Sequence, residues 1–343
     1  MTKTAIVLFN LGGPDRPDSV RPFLFNLFND PAIIGLPNPL RYLVAKLISG
    51  RRAPVAAEIY QHLGGGSPLL PNTVAQADAL TDALSDLGEV KSFIAMRYWH
   101  PMTEETVRAV LDYAPDQVVL LPLYPQFSTT TTASSLKKWR EEATKVGLSA
   151  PTHIVGCYPR ADGYIRSVAQ LTKAAMAQIT AGKPRILFSA HGLPKKVVEK
   201  GDPYQWQVEQ SAARVVAAMD VPDLDWVVCY QSRVGPLEWI GPSTDQEIRR
   251  AGQDGVPLVV CPIAFVSEHS ETLVEIELEY RHLAEESGVP AFIRVPTPGD
   301  DPLFIESLAK SVRDVLARPA GIWSDEGNKL CPAQFGRCMC QAG

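Results

Sequence analysis

Residues 256–280 read VPLVVCPIAFVSEHSETLVEIELEY, and the fold turns on what this stretch becomes. Its first six residues are apolar and rich in valine, as expected of a strand buried on both faces of a parallel sheet. The run meets Pro262, turns near Ser267, and a helical segment is expected over residues 270–287. At about 100° per residue, Glu268, Glu271, Glu275, Glu279 and His282 share one narrow arc of that helix. Leu273, Ile276, Tyr280 and Leu283 flank the arc on one side, Val274 and Leu278 on the other. Like charges one turn apart cost a helix about 0.2–0.5 kcal/mol per pair, and no Lys or Arg sits among these. A solvated charged face is the ordinary explanation of such a stripe, but two apolar flanks leave it little water. A cation held in a cleft would stabilise the crowded carboxylates. Together with the imidazole of His269 they form a donor set suited to divalent iron.

The same alternation of short apolar runs and helical patterns extends along the chain. Strands are expected over residues 4–10, 91–96, 116–123, 152–156, 185–190, 225–230, 257–261 and 291–295. Helices are expected over residues 73–87, 104–113, 134–146, 165–179, 204–219, 244–252, 270–287 and 302–316. This order implies an α/β protein of right-handed βαβ units, with two doubly wound, Rossmann-like lobes of parallel sheet and a cleft between them. The TAGKP stretch at 180–184 marks the break: one lobe over residues 1–180, a second over 181–317, and a cysteine-bearing tail over 318–343. The halves echo each other, AIVLFNLGGP against RILFSAHGLP and VLLPLYPQFS against LVVCPIAFVS, though at unequal offsets.

Composition narrows the function classes. With 343 residues, 45% apolar and 21% charged, the chain has material for one large or two ordinary domains. A net charge of −5 argues against broad nucleic-acid binding. A strand pattern begins almost at Met1, and the longest uncharged run, 117–136, contains two prolines. The expectation is therefore a cytoplasmic protein without a leader or a membrane span. Residues 31–54, PAIIGLPNPLRYLVAKLISGRRAP, mix aliphatic residues with Arg41, Lys46, Arg51 and Arg52. They form either a helical hairpin packed on the sheet or an exposed apolar lip suited to an amphiphilic acid or a membrane surface.

Loops at strand ends are where a doubly wound fold binds ligands. His191 directly follows the strand RILFSA and precedes Gly192, Leu193 and Pro194, which puts it where ligands bind in such a fold; an imidazole satisfied by backbone is the commoner case. The GGGS at 64–67 has no GK[ST] after it and no strand before it, so it reads as a turn. HExxH, GxSxG and a strand-linked GxGxxG are all absent, against zinc hydrolase, serine hydrolase and dinucleotide functions.

In chain order NLGGP, IYQHLGGGSPL, MRYWHP, LYPQFSTTTTASS, FSAHGLP, QSRVGPLEWIGP and SEHSETLVEIELEY resemble the motifs of ferrochelatases, from Asn10 to about Leu316. That resemblance implies insertion of ferrous iron into protoporphyrin IX, the last step of haem synthesis. It assigns His191 to proton abstraction or metal contact with Glu271 as partner, and Glu268, His269, Glu275 and Glu279 to a route for iron or protons. It also implies that Leu11, Arg52, Tyr60, Ser67, Arg97, Tyr98, Ser232 and Trp239 wall or edge the porphyrin. An Arg52 fork suits a propionate, since guanidinium binds carboxylate bidentately. A chelatase acting on coproporphyrin or another tetrapyrrole, and a carrier of haem or metal without turnover, are the rival readings.

The tail CPAQFGRCMC gathers Cys331, Cys338 and Cys340. Idle thiols or an incomplete zinc site would explain three cysteines, but clustered thiolates with a fourth ligand suit an iron–sulfur centre. The resemblance implies a 2Fe–2S cluster here, as some ferrochelatases carry. The animal spacing does not match, and Thr129 stands where the animal pattern has its remote cysteine. Cys157 in IVGCYPR instead matches the placement in certain bacterial members. Cys229 and Cys261 lie in apolar strands and read as core thiols.

Overall fold

The computed structural model describes residues 2–233, 235, 237–327 and 329–340. All eight apolar runs are strands: β1 (Lys3–Asn10), β2 (Glu89–Met96), β3 (Gln117–Pro122), β4 (Thr152–Cys157), β5 (Arg185–His191), β6 (Asp225–Gln231), β7 (Leu258–Pro262) and β8 (Phe292–Arg294). A ninth, β9 (Ile322–Ser324), is three residues long, too short to show as a pattern.

The strands form two parallel sheets, ordered β2-β1-β3-β4-β9 and β6-β5-β7-β8. The order is the same in both as far as β4 and β8, so β1 and β5 hold equivalent central places. The chain leaves each for one side and returns on the other. That reversal opens a crevice at the strand's carboxyl end. The echoing NLGGP and AHGLP segments are therefore the loops at the two crevices. The central strands are apolar throughout because helices cover both faces: Ala5, Ile6, Val7, Leu8, Ile186, Leu187 and Phe188 are fully buried.

The covering helices are α1 (Val20–Phe28), α2 (Leu40–Gln61), α3 (Leu69–Ala83), α4 (Thr103–Tyr113), α5 (Thr132–Val146), α6 (Asp162–Met176), α7 (Lys195–Glu199), α8 (Tyr204–Met219), α9 (Thr244–Asp254), α10 (Arg281–Glu286) and α11 (Pro302–Leu316). α8 and α11 have the bounds the sequence suggests. α11 starts where it does because Pro302 needs no N–H partner in the first turn. Asp301 caps the helix by accepting from the N–H groups of Leu303 and Phe304.

Three expectations change. The division at residue 180 separates the sheets only as far as β8, since β9 returns from the tail to pair with β4 and α11 packs on α3, α6 and β4. One apolar core accordingly runs through both sheets, from Ile6 and Val119 to Phe188 and Val259. Residues 31–54 do not form a helical hairpin. Turns lead into a single 22-residue helix, α2, that continues through Pro54 and leaves Leu40, Tyr42, Leu43, Leu47 and Val55 exposed. Finally, residues 271–280 form a π-helix (Glu271–Tyr280) rather than an α-helix. Its i→i+5 bonding widens the turn, yet Glu271 and Glu275, four apart, still lie side by side and share the Ser232 hydroxyl. The members of the acidic stripe nonetheless have different partners.

Candidate active site

His191 is the last residue of β5, and Glu271 is the first of the π-helix that follows β7 on the neighbouring side. The crevice brings them together: His191 Nδ1 lies 2.7 Å from Glu271 Oε2. Burial raises the Glu271 carboxyl, but the His191 charge and hydrogen bond outweigh it and hold the group down at about 2. Glu271 is thus an anion, the hydrogen on Nδ1 points to it, and Nε2 of a neutral His191 is left to accept a proton. Burial alone would depress the imidazole; the adjoining Glu271 carboxylate more than offsets it and lifts His191 above its ordinary 6.5. The ring is 42% exposed in side-chain terms, open on the crevice side.

Glu275, one step along the π-helix, is pushed the other way. Burial and the neighbouring Glu271 anion both raise its carboxyl. Ser232 joins the two acids: its N–H donates to Glu275 Oε1 at 2.9 Å, and its hydroxyl lies 2.5 Å from Glu275 Oε2 and 3.1 Å from Glu271 Oε2. One hydroxyl proton cannot serve both acceptors, which favours a shared or mobile proton between them. Ser232 does this from a left-handed backbone at φ 61°, a conformation that costs a non-glycine residue about 1–2 kcal/mol. Gln231 donates to Glu275 Oε2 at 3.1 Å and Tyr280 to Glu275 Oε1 at 3.1 Å. Neither was expected in the site. Gln231 ends β6 beside β5, so strand-end position was its only sequence signal.

The remaining stripe residues part company. Glu268 pairs with Arg294 at 2.8 Å and accepts from Thr297 N at 3.0 Å, which corrects the reading that no cation relieves the stripe. Arg294 comes from β8 and also binds Glu277 at 3.0 Å. His269 is buried, its Nδ1 3.2 Å from Ser267 O and its Nε2 3.9 Å from Glu271 Oε1. Burial holds it below its ordinary value and therefore neutral at physiological pH. Glu279 is exposed. With Val55, Glu58, Ile59, His62, Val274, Leu278 and His282 it lines a groove of about 380 Å³ between α2 and the π-helix.

The residues assigned to the porphyrin surround this pair unevenly. Tyr60, near the end of α2, is buried, and burial first, then the Glu271 charge, push its phenol up to about 12. Leu11 and Tyr60 belong to a small apolar cluster with α1. Ser67 backs the NLGGP loop, donating its N–H to Pro14 O at 2.7 Å, and a Cβ on Gly13 would lie 2.6 Å from its side chain. The GGGS segment is a turn, as expected. Trp239 pairs in a bridge with Pro194 and has a buried indole N–H without a partner. Arg52 is exposed, 5.9 Å over the Phe28 ring.

Arg97 and Tyr98 are engaged elsewhere. Arg97 Nη2 and Tyr98 OH meet the buried Asp30 at 2.6 and 2.8 Å, and Ser134 donates to the same oxygen at 2.5 Å. Tyr98 is 1% exposed, its hydroxyl taken up by Asp30. Asp30 was missed because nothing near it in sequence marks an acid that must answer a buried guanidinium.

At the far end of the first sheet the four cysteines converge. Cys157, Cys331, Cys338 and Cys340 are buried in one cluster, with Cys157 and Cys340 sulfurs 3.7 Å apart. Gly156 makes the room: a Cβ there would lie 2.6 Å from Cys340 Sγ. Cys338 receives hydrogen bonds from Cys331 and Cys340 and is pushed down. Cys331 is pushed up chiefly by its contact with Cys338, and Cys340 chiefly by its contact with Cys157 and then Cys338. Among the described residues no three His, Cys, Asp or Glu groups surround one point at metal-ligand distance, and the thiols as placed touch one another. Cys229 and Cys261 sit apart, pushed up to about 12 by burial, as inert core thiols.

A family model for ferrochelatase matches residues 3–316. The chain is 55% identical to a ferrochelatase of Caulobacter vibrioides (strain NA1000 / CB15N), over 99% of this chain and 98% of that one. It is 54% identical to a ferrochelatase of Phenylobacterium zucineum, over 99% of both chains. Among solved structures, SirB from Bacillus subtilis with Fe3+ aligns over 92% of this chain and 96% of its own, with a TM-score of 0.53 at 12% identity, a likeness of fold. The chain therefore belongs to the ferrochelatase family, the lyases that insert ferrous iron into protoporphyrin in haem synthesis.

Proposed function

We propose that His191 and Glu271 carry out the proton side of iron insertion into protoporphyrin IX. The observation that carries this is the 2.7 Å contact between the two at a strand-end crevice. Insertion exchanges one ferrous ion for the two pyrrole N–H protons. A neutral His191 takes a pyrrole proton on Nε2, and Glu271 stabilises the resulting imidazolium. Glu275, raised and joined to Glu271 through Ser232, is the next acceptor, and the groove at Glu279 opens to solvent. Glu268 and His269 border the same route. Anaerobic mixing of a trace of protein with excess ferrous iron and protoporphyrin tests the activity: many haems per protein are expected, and a single stoichiometric equivalent would indicate a carrier.

The four cysteines fit a 2Fe–2S cluster. The donor set is four thiols in an apolar pocket, and Gly156 leaves space a side chain would fill. When bound, such a group supplies a one-electron redox centre. Protein made under iron-replete anaerobic conditions is expected to be brown, with equal iron and acid-labile sulfide. Cys340→Ser is expected to lose both, and a colourless, iron-free, folded wild type would contradict the assignment.

The exposed apolar face of α2 supports a peripheral site on the cytoplasmic side of a membrane. No helix among the described residues is long and apolar enough to cross one. Leu43 and Leu47 are 59% and 53% exposed, with Lys46, Arg51 and Arg52 on the same helix. Sedimentation with anionic vesicles is expected to carry the protein down and to fail for Leu43→Asp/Leu47→Asp. Equal sedimentation of both would rule out the lip as the anchor.

A further inference from the structure

Gln207 lies on α8, fully buried, and no step proposed above uses it. Its carboxamide has one sensible orientation. Oε1 accepts from the N–H of Phe127 at 2.7 Å, so the amide nitrogen must face the other way. There Nε2 lies 3.1 Å from Cys331 Sγ and 3.5 Å from Cys157 Sγ. The Phe127 loop is itself anchored: Asp202, just before α8, accepts from Thr129 N, Thr129 Oγ1 and Ser128 Oγ at 2.6–3.0 Å. A fixed carboxamide therefore points its N–H donors at a mid-chain sulfur and a tail sulfur in a buried site.

A sulfur accepts better as it gains negative charge, so such donors favour thiolate over thiol and the reduced over the oxidised form of a metal–thiolate group. We propose that Gln207 is a positioning residue of the four-cysteine site: its amide N–H groups bond the Cys157 and Cys331 sulfurs and make a 2Fe–2S group bound there easier to reduce. This rests on the cluster assignment above.

The test compares wild type with Gln207→Leu and Gln207→Glu, as full-length proteins with cluster bound. Each is titrated with dithionite and mediator dyes, one electron entering per cluster, and followed by EPR. The leucine variant is expected to keep its iron and sulfide but to titrate at a more negative potential. The glutamate variant, which turns a carboxylate oxygen toward the sulfurs, is expected to move further or lose the cluster. A wild-type potential in the leucine variant overturns the proposal. Should that variant not fold, Gln207→Met, of similar length, takes its place with the same outcomes. A wild type without iron or sulfide defeats the cluster assignment instead. That outcome removes the present proposal with it, whereas full iron and sulfide with an unshifted potential in the leucine variant removes the present proposal alone.

Discussion

His191→Ala is expected to lower the rate of iron insertion by about 10²–10⁴-fold while leaving porphyrin binding near that of the unaltered protein. The size follows from the loss of a positioned general base with no second imidazole to take its place. His269, the nearest other imidazole, is buried with Nδ1 turned to Ser267 O. Glu271 is held down at about 2 chiefly because His191 opposes the effect of burial, so its carboxyl rises once the imidazole is gone and takes over only part of the base's role. Initial rates under anaerobic conditions give the first quantity and quenching of porphyrin fluorescence the second. Retained turnover would remove His191 from the chemistry. Lost binding would make it a wall residue.

The second large effect is expected at Glu271. Glu271→Gln keeps an oxygen to accept from His191 Nδ1–H but removes the charge that stabilises the imidazolium, and a fall of about 10–10²-fold in rate is expected. The sign of the pH effect is fixed by the direction of the shift. A base whose folded value is raised is blocked by protonation below that value and becomes competent above it. In the unaltered protein the acid limb of kcat/KM is therefore expected above pH 6.5. Without the carboxylate, burial acts with less opposition and the limb moves to lower pH. The variant thus loses rate at neutral pH while extending its activity toward acid. A rate near normal would place the proton elsewhere.

The parallel sheets were legible because a strand covered on both faces must be apolar along its length, as β1 and β7 are. His191 was legible by its place at the end of such a strand, and the cysteines by chemistry and resemblance together. The π-helix was not, since its apolar and acidic residues satisfy a 3.6-residue repeat equally well in sequence. The partners of its acids are likewise tertiary: Glu271 and Glu275 both reach Ser232, while Glu268 and Glu277 share Arg294. Asp30, Gln231 and Gln207 were invisible for a related reason. Each answers a partner more than forty residues away, and no local pattern records such an obligation.

The most direct measurement is the pH dependence of kcat/KM for protoporphyrin, over about pH 5 to 9, in wild type, His191→Ala and Glu271→Gln. The account predicts an acid limb above pH 6.5 in wild type, displaced to lower pH in Glu271→Gln and absent from the residual rate of His191→Ala. One and the same limb in all three proteins would show that the proton passes through neither residue.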